Sequence, residues 1–269
     1  MHRQALAWAV GIGLVAAVAR SADADERRFT YSYEAKTLPQ GVWEFEQWAT
    51  LRARKDAGVF RSWDLREEIE YGVLDRLTAA LYLNWEYEAV RDVPGLDNEH
   101  EVEVETVSNE WKFKLTDPVA DPVGSLLYFE WAAGEEFELE TKAVLSKQVG
   151  PWVLAYNLIF EWEREEEEEP GGEEEWASEF VLSHTAGVSY EVLPGWAAGI
   201  EAVSHTEWEH NLAHSEHTAY FVGPNVHVST ARWWLTVTAL KQVDLQDHRG
   251  LILDDHEKYE VRLIFGVTF

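Results

Sequence analysis

The chain contains no cysteine and a single methionine in 269 residues. Without cysteine, disulfide scaffolds, thiolate metal sites and cysteine nucleophiles are all excluded. Basic residues are scarce as well. Lys and Arg number 22 against 50 Asp and Glu, a formal net charge of −28, so there is no basic face to track nucleic acid. Beyond the N-terminus no stretch offers the roughly eighteen consecutive apolar residues of a membrane-crossing helix. What the chain does have is aromatic: 14 Trp within a 13% aromatic content. Soluble β proteins and membrane β-barrels both remain open, and the even composition after the first twenty or so residues points to one domain.

The N-terminus carries its own signal. Met1 to Arg3 is short and basic, and Ala5 to Ala19 is an apolar run of the length of a secretory h-region rather than a bilayer span. Small residues at Ala17, Ala19 and Ser21 offer cleavage after Ala19 or Ser21. Residues 1–21 therefore read as a secretory signal peptide. The polar, uncapped stretch Arg20 to Arg28 argues against a buried helix. Residues 22–40 read as a periplasmic N-terminal segment.

From Val42 onward apolar residues recur at every second position. The most regular case is Trp152, Leu154, Tyr156, Leu158, Phe160 and Trp162, set against Val153, Ala155, Asn157, Ile159, Glu161 and Glu163. That is a strand with one greasy face and one mixed, mostly polar face. Reading the breaks as turns predicts twelve strands, at 41–54, 59–73, 75–90, 100–116, 123–133, 136–149, 151–165, 174–192, 195–210, 216–229, 231–243 and 256–269. Tight and longer connections alternate, as in an antiparallel meander with short turns on one rim and longer loops on the other. In the fourth strand the parity changes, which predicts a bulge near Ser108.

The tryptophans decide what the greasy face meets. Eleven of them (Trp43, Trp63, Trp85, Trp111, Trp131, Trp152, Trp162, Trp176, Trp196, Trp208 and Trp233) share that parity, leaving Trp48, Trp234 and Trp8. Trp152 and Trp162 bracket one strand, Trp196 and Trp208 another. Ten residues at about 3.3 Å each, tilted by about 40°, span roughly 25 Å, the height of the apolar band of an outer-membrane barrel between its aromatic girdles. Trp85, Trp152, Trp162, Trp196, Trp208 and Tyr259 are the expected girdle residues. Glu67 and His184 also fall on this face, where a polar group is costly near the midplane.

With its secretory signal, absent cysteine, strand meander and terminal Phe269 after alternating apolar residues (YEVRLIFGVTF), the chain resembles bacterial outer-membrane β-barrel proteins of an uncharacterised porin-like family. The resemblance covers the mature chain and implies a closed antiparallel up-and-down transmembrane β-barrel over residues 41–269. It also implies outer-membrane lipid as surroundings and recognition of Phe269 by the barrel assembly machinery. Val267 departs from the aromatic common at its position, and Gly266 stands off the usual glycine offset.

The inward parity is acidic. Glu44, Glu46, Glu68, Glu70, Glu86, Glu88, Glu138, Glu140, Glu161, Glu163, Glu201 and Glu260, together with Glu130 and Glu207, face Arg52, Arg54, Arg66, Lys142 and Arg262. Enclosed water there would be at negative potential, which favours cations. The plainer reading is an obligatory polar lumen knit by cross-strand ion pairs. Twelve strands lie between side-chain-filled and open barrels.

Two loops stand out. Glu165 to Glu175 (EEEEEPGGEEE) is a carboxylate cluster of the sort that attracts divalent cations, though its spacing fits no calcium loop and a solvated charge run explains it. His205, His210, His214 and His217 are candidate transition-metal ligands, weighed against ordinary rim histidines. Ser178 and His184 share the outward face, but no catalytic constellation stands out, and no cofactor is expected. The expected function is a narrow passive channel for small solutes with a cation preference. A non-conducting structural or surface-interaction barrel is the alternative, followed by a lipid-acting enzyme and a soluble carbohydrate-binding protein.

Overall fold

A computed structural model describes residues 26–134, 136–168, 174–209, 212–245, 250–253 and 255–269. The expected signal peptide (1–21), His210 and the Pro-Gly-Gly centre of the acidic loop lie outside the described residues. Twelve strands form one closed barrel: β1 Trp43–Ala53, β2 Val59–Leu74, β3 Leu77–Arg91, β4 Glu99–Thr116, β5 Gly124–Gly134, β6 Phe137–Val149, β7 Trp152–Glu168, β8 Glu174–Leu193, β9 Trp196–Glu209, β10 His217–Ser229, β11 Trp233–Gln242 and β12 Tyr259–Thr268. Each strand pairs antiparallel with its neighbours in sequence, and β1 pairs with β12 to close the ring. Closure leaves no edge strand, so every backbone polar group can be satisfied within the wall. At the seam Trp43 N donates to Phe269 O at 3.2 Å, and Phe269 N donates to Trp43 O at 2.9 Å.

The outward face is apolar and uncovered. Ile69, Leu81, Leu127 and Ile200 are at least half exposed, so no second layer of protein packs on them, and Trp48 and Trp234 alone among the described tryptophans are buried inside. Aromatic pairs border the band on both sides. Trp43 lies 4.5 Å from Tyr71 and Trp152 lies 4.8 Å from Tyr190 at the short-turn rim, while Trp162 lies 6.1 Å from Phe137 toward the long-loop rim. Glu67 and His184 do face outward, each with a partner. Glu67 accepts from Gln47 Nε2 at 3.0 Å and from Trp85 Nε1 at 2.9 Å, and Tyr156 Oη and His184 Nδ1 are 2.8 Å apart.

Two sequence expectations need correction. The bulge expected near Ser108 in β4 falls three to four residues earlier, where Asn84 pairs with Thr106 and Glu86 with Glu103. One extra residue there reverses the parity of everything nearer the long-loop rim. The second correction is larger: of residues 22–40, expected as a periplasmic segment, the stretch 26–38 lies inside the barrel and fills the short-turn half of its lumen.

Candidate functional site

The described N-terminal segment begins as RRFTYSYEA from Arg27 to Ala35 and forms no strand. Its backbone N–H groups must find partners elsewhere, and polar side chains of the barrel wall supply them. Glu201 of β9 accepts from three consecutive amides, Thr30 N at 3.0 Å, Tyr31 N at 3.0 Å and Ser32 N at 2.8 Å. Asn157 of β7 accepts from Tyr33 N at 2.6 Å and donates back to Tyr33 O at 3.0 Å. Ser146 Oγ accepts from Ala35 N, and Thr78 Oγ1 from Leu38 N, both at 2.9 Å.

Alternate side chains of the segment build a core in the lumen. Phe29 packs with Val153 and Ala155, and its ring lies over Gly187, where an added Cβ would stand 2.6 Å from it. Tyr31 joins Val203, Ala219, Phe221 and Leu240. Tyr33 and Ala35 join Trp48, Leu126, Tyr128, Val144, Trp234 and Ile264. Residues 29 through 35 are all buried. The segment is also basic where the wall is acidic: Arg28 pairs with Glu191 at 2.8 Å, and the Arg27 guanidinium lies among the charges of Glu46, Glu68 and Glu110 and 3.7 Å from the centre of the Tyr33 ring.

Above this plug, toward the long-loop rim, the lumen opens into a vestibule of about 470 Å³ floored by Thr30, Tyr31 and Tyr33. Its lining holds thirteen Asp and Glu against four Lys and Arg. Three of those bases have acidic partners: Arg52 with Asp64 at 3.0 Å, Lys142 with Glu140 at 2.7 Å and Arg66 with Glu130 at 3.7 Å. Arg262 instead lies over the Tyr31 ring, 4.1 Å from its centre. Acidic residues therefore outnumber basic ones in the lining by thirteen to four.

The expected inward residues separate into layers. Glu86, Glu138, Glu140, Glu161, Glu163, Glu260, Arg52, Arg66 and Arg262 line the vestibule. Glu88, which pairs with Ser62 and Glu101, sits nearer the long-loop rim. Glu44, Glu46, Glu68, Glu70 and Glu201 are buried in the plugged half; Glu201 holds the segment, Glu46 accepts from Trp48 Nε1 at 2.7 Å, and Glu44 accepts from Trp234 Nε1 at 3.3 Å and Thr268 Oγ1 at 2.6 Å. Counting inward charges from the strand pattern left out Arg27 and Lys112, which bonds Glu70 and lies 3.3 Å from Glu110. Lys112 follows from the outward parity already assigned to Trp111 beside it.

The histidines also sort differently. His205 lines the vestibule and bonds Ser183 Oγ through Nδ1 at 2.7 Å, whereas His214 is exposed in the β9–β10 loop. His217 opens β10 and turns inward to meet Glu207 and a residue that sequence reasoning missed, His256, on the long connection into β12. Beside them burial pushes the Glu257 carboxyl above its ordinary range, with Arg52 and Lys55 opposing that rise.

The model described as "Family of unknown function (DUF6662)" matches residues 21–269. The chain belongs to that family. No curated protein matches it. Among solved structures the chain is similar to the COG4313 outer membrane channel from Pseudomonas putida F1, at 12% identity and a TM-score of 0.64, covering 87% of this chain and 98% of that one. It is likewise similar to the beta domain of the Bordetella autotransporter BrkA, at 11% identity, a TM-score of 0.57 and coverage of 86% and 100%. The NanC porin follows at 11% identity, a TM-score of 0.51 and coverage of 84% and 98%. At these identities the likeness concerns the fold alone, a closed antiparallel β-barrel shared with outer-membrane proteins.

Proposed function

We propose that the protein is an outer-membrane channel for small cationic solutes, held closed at its short-turn mouth by its own N-terminal segment. Short turns of such barrels face the periplasm and long loops the exterior, so the vestibule receives solutes from outside. The observation that carries the reading is the placement of Thr30, Tyr31 and Tyr33 as the floor of a cavity with thirteen acidic residues in its lining. A low-dielectric wall concentrates that field and raises the local concentration of cations. Nothing in this reading calls for catalysis: the Ser183–His205 pair takes the role of a wall hydrogen bond. Phe269, at the seam and 63% exposed, remains available to the assembly machinery.

The reading is tested by reversal potential. Glu201→Gln removes the charge that binds three amides of the segment and is expected to give conducting protein whose reversal potential under a KCl gradient favours K⁺. Preference for Cl⁻ would contradict it. A second reading, a non-conducting barrel, is favoured by the hydrogen bonds that Glu201, Asn157, Ser146 and Thr78 make to the segment, and an ion-tight Glu201→Gln barrel with the segment demonstrably released would select it.

A further inference from the structure

We infer that Glu207, His217 and His256 form a binding site for one transition-metal ion of the zinc, nickel or copper class at the outer end of the vestibule. The three come from different parts of the fold: Glu207 from β9, His217 from the first residue of β10 and His256 from the connection between β11 and β12. Their donor atoms converge. His217 Nε2 lies 3.1 Å from Glu207 Oε2, His256 Nε2 lies 3.1 Å from Glu207 Oε1, and the two Nε2 atoms are 3.1 Å apart. Ligand atoms bound at about 2.0–2.1 Å to a tetrahedral ion stand roughly 3.3 Å from one another; the Nε2–Nε2 separation and the separation of each imidazole from its own Glu207 oxygen match that edge length, and one donor atom from each residue lies within 4.8 Å of the other two.

The protonation chemistry favours the same reading. Were both Nε2 atoms protonated to donate to Glu207, two N–H groups would confront each other at 3.1 Å. A shared cation removes that conflict, because both lone pairs then point to one centre. Asp255 Oδ2 lies 3.4 Å from His217 Nδ1, on the far side of the ring. A carboxylate at that distance draws a proton toward Nδ1 by its charge, and closing to hydrogen-bond distance would give the outer-shell arrangement common to metal-bound histidines, with Nε2 left to ligate. Lys55 Nζ donates to His256 O at 3.0 Å and so fixes the third ligand's backbone.

Two imidazoles and one carboxylate suit borderline metals and not the all-oxygen preference of calcium or magnesium. Three protein ligands also leave a coordination position open, and Glu207 and His256 both line the vestibule, so a bound ion would face its water. Bound there, the ion ties the β11–β12 connection to the wall. The inference stands independently of whether the barrel conducts.

The test is metal binding by refolded, tag-free mature protein in excess Mg²⁺, which occupies acidic surface sites. One Zn²⁺ or Co²⁺ per chain is expected, with Co²⁺ giving the intense visible bands of a low-coordinate nitrogen and oxygen site. His217→Gln and His256→Gln should each weaken binding at least a hundredfold and His214→Gln should leave it unchanged. Asp255→Asn, which keeps all three ligands, should weaken it roughly 10- to 100-fold. Undiminished stoichiometry in a folded His217→Gln/His256→Gln double variant, or no binding by the parent protein at micromolar metal, would overturn the site.

Discussion

The carboxylate of Glu201 accepts the backbone N–H of Ser32 at 2.8 Å across 169 residues of sequence. The same carboxylate holds Thr30, Tyr31 and Thr238, and it is fully buried. Hydrogen bonds to a charged group contribute about 1.5–3 kcal/mol each. Replacing Glu201 by Gln keeps the shape and loses the charge, and it is expected to weaken docking of the segment by about 2–4 kcal/mol while the barrel stays folded. Trypsin cleavage after Arg28 and Lys36 in folded, detergent-solubilised protein checks this: rapid in the variant, slow in the parent.

Gly187 makes room for Phe29. With its Cβ position 2.6 Å from the ring, Gly187→Leu overfills the site, a change that typically costs about 1–3 kcal/mol. The expected phenotype is the same protease sensitivity of the segment with little change in barrel unfolding, since the substitution faces the lumen and not the wall hydrogen bonds. Amide exchange at Thr30 to Tyr33 gives an independent readout.

On the outer wall, Glu67 is bound by Gln47 and Trp85. Glu67→Leu alone strands the Trp85 indole N–H on the outward apolar face, while Gln47 Nε2 keeps the Trp48 and Arg66 carbonyls, and is expected to destabilise the barrel by about 1–3 kcal/mol. Trp85→Phe together with Glu67→Leu removes that donor with its acceptor, and the double variant is expected to be more stable than Glu67→Leu alone. Urea unfolding in lipid vesicles distinguishes the two results.

The short turn after β4 carries a pH dependence. Backbone hydrogen bonding from Ala120, joined by Val119, holds the Asp117 carboxyl below the ordinary aspartate value of 3.8. A carboxyl depressed by folding stabilises the turn above the unfolded value and loses that contribution as pH falls through the folded one. Amide exchange at Val119 and Ala120 should therefore be insensitive to this group above about pH 5, accelerate below pH 4 beyond the intrinsic rate, and lose that acid dependence in Asp117→Asn.

Strand number, face assignment and closure were legible because they rest on a period of two and on local turns. Trp152 and Trp162, for instance, share the outward parity of one strand, and Phe269 pairs with Trp43 as a terminal strand should. The plug was legible only in part. Phe29, Tyr31, Tyr33 and Ala35 alternate with Arg28, Thr30, Ser32 and Glu34, a strand-like rhythm in a stretch expected to lie outside the barrel. Its partners, Glu201, Asn157 and Ser146, are scattered over three strands and look like any other inward polar residues. His256 was hidden for a similar reason: 39 residues separate it from His217, and only the return of the β11–β12 connection over the wall brings them together.

The most direct measurement is single-channel current across a planar bilayer, recorded from the parent mature protein and from a variant lacking residues 22–40. Closure by the segment requires the parent to be silent or to open only in rare bursts, and the shortened barrel to carry a steady cation-favouring current. Equal, steady conductance from both proteins would contradict it.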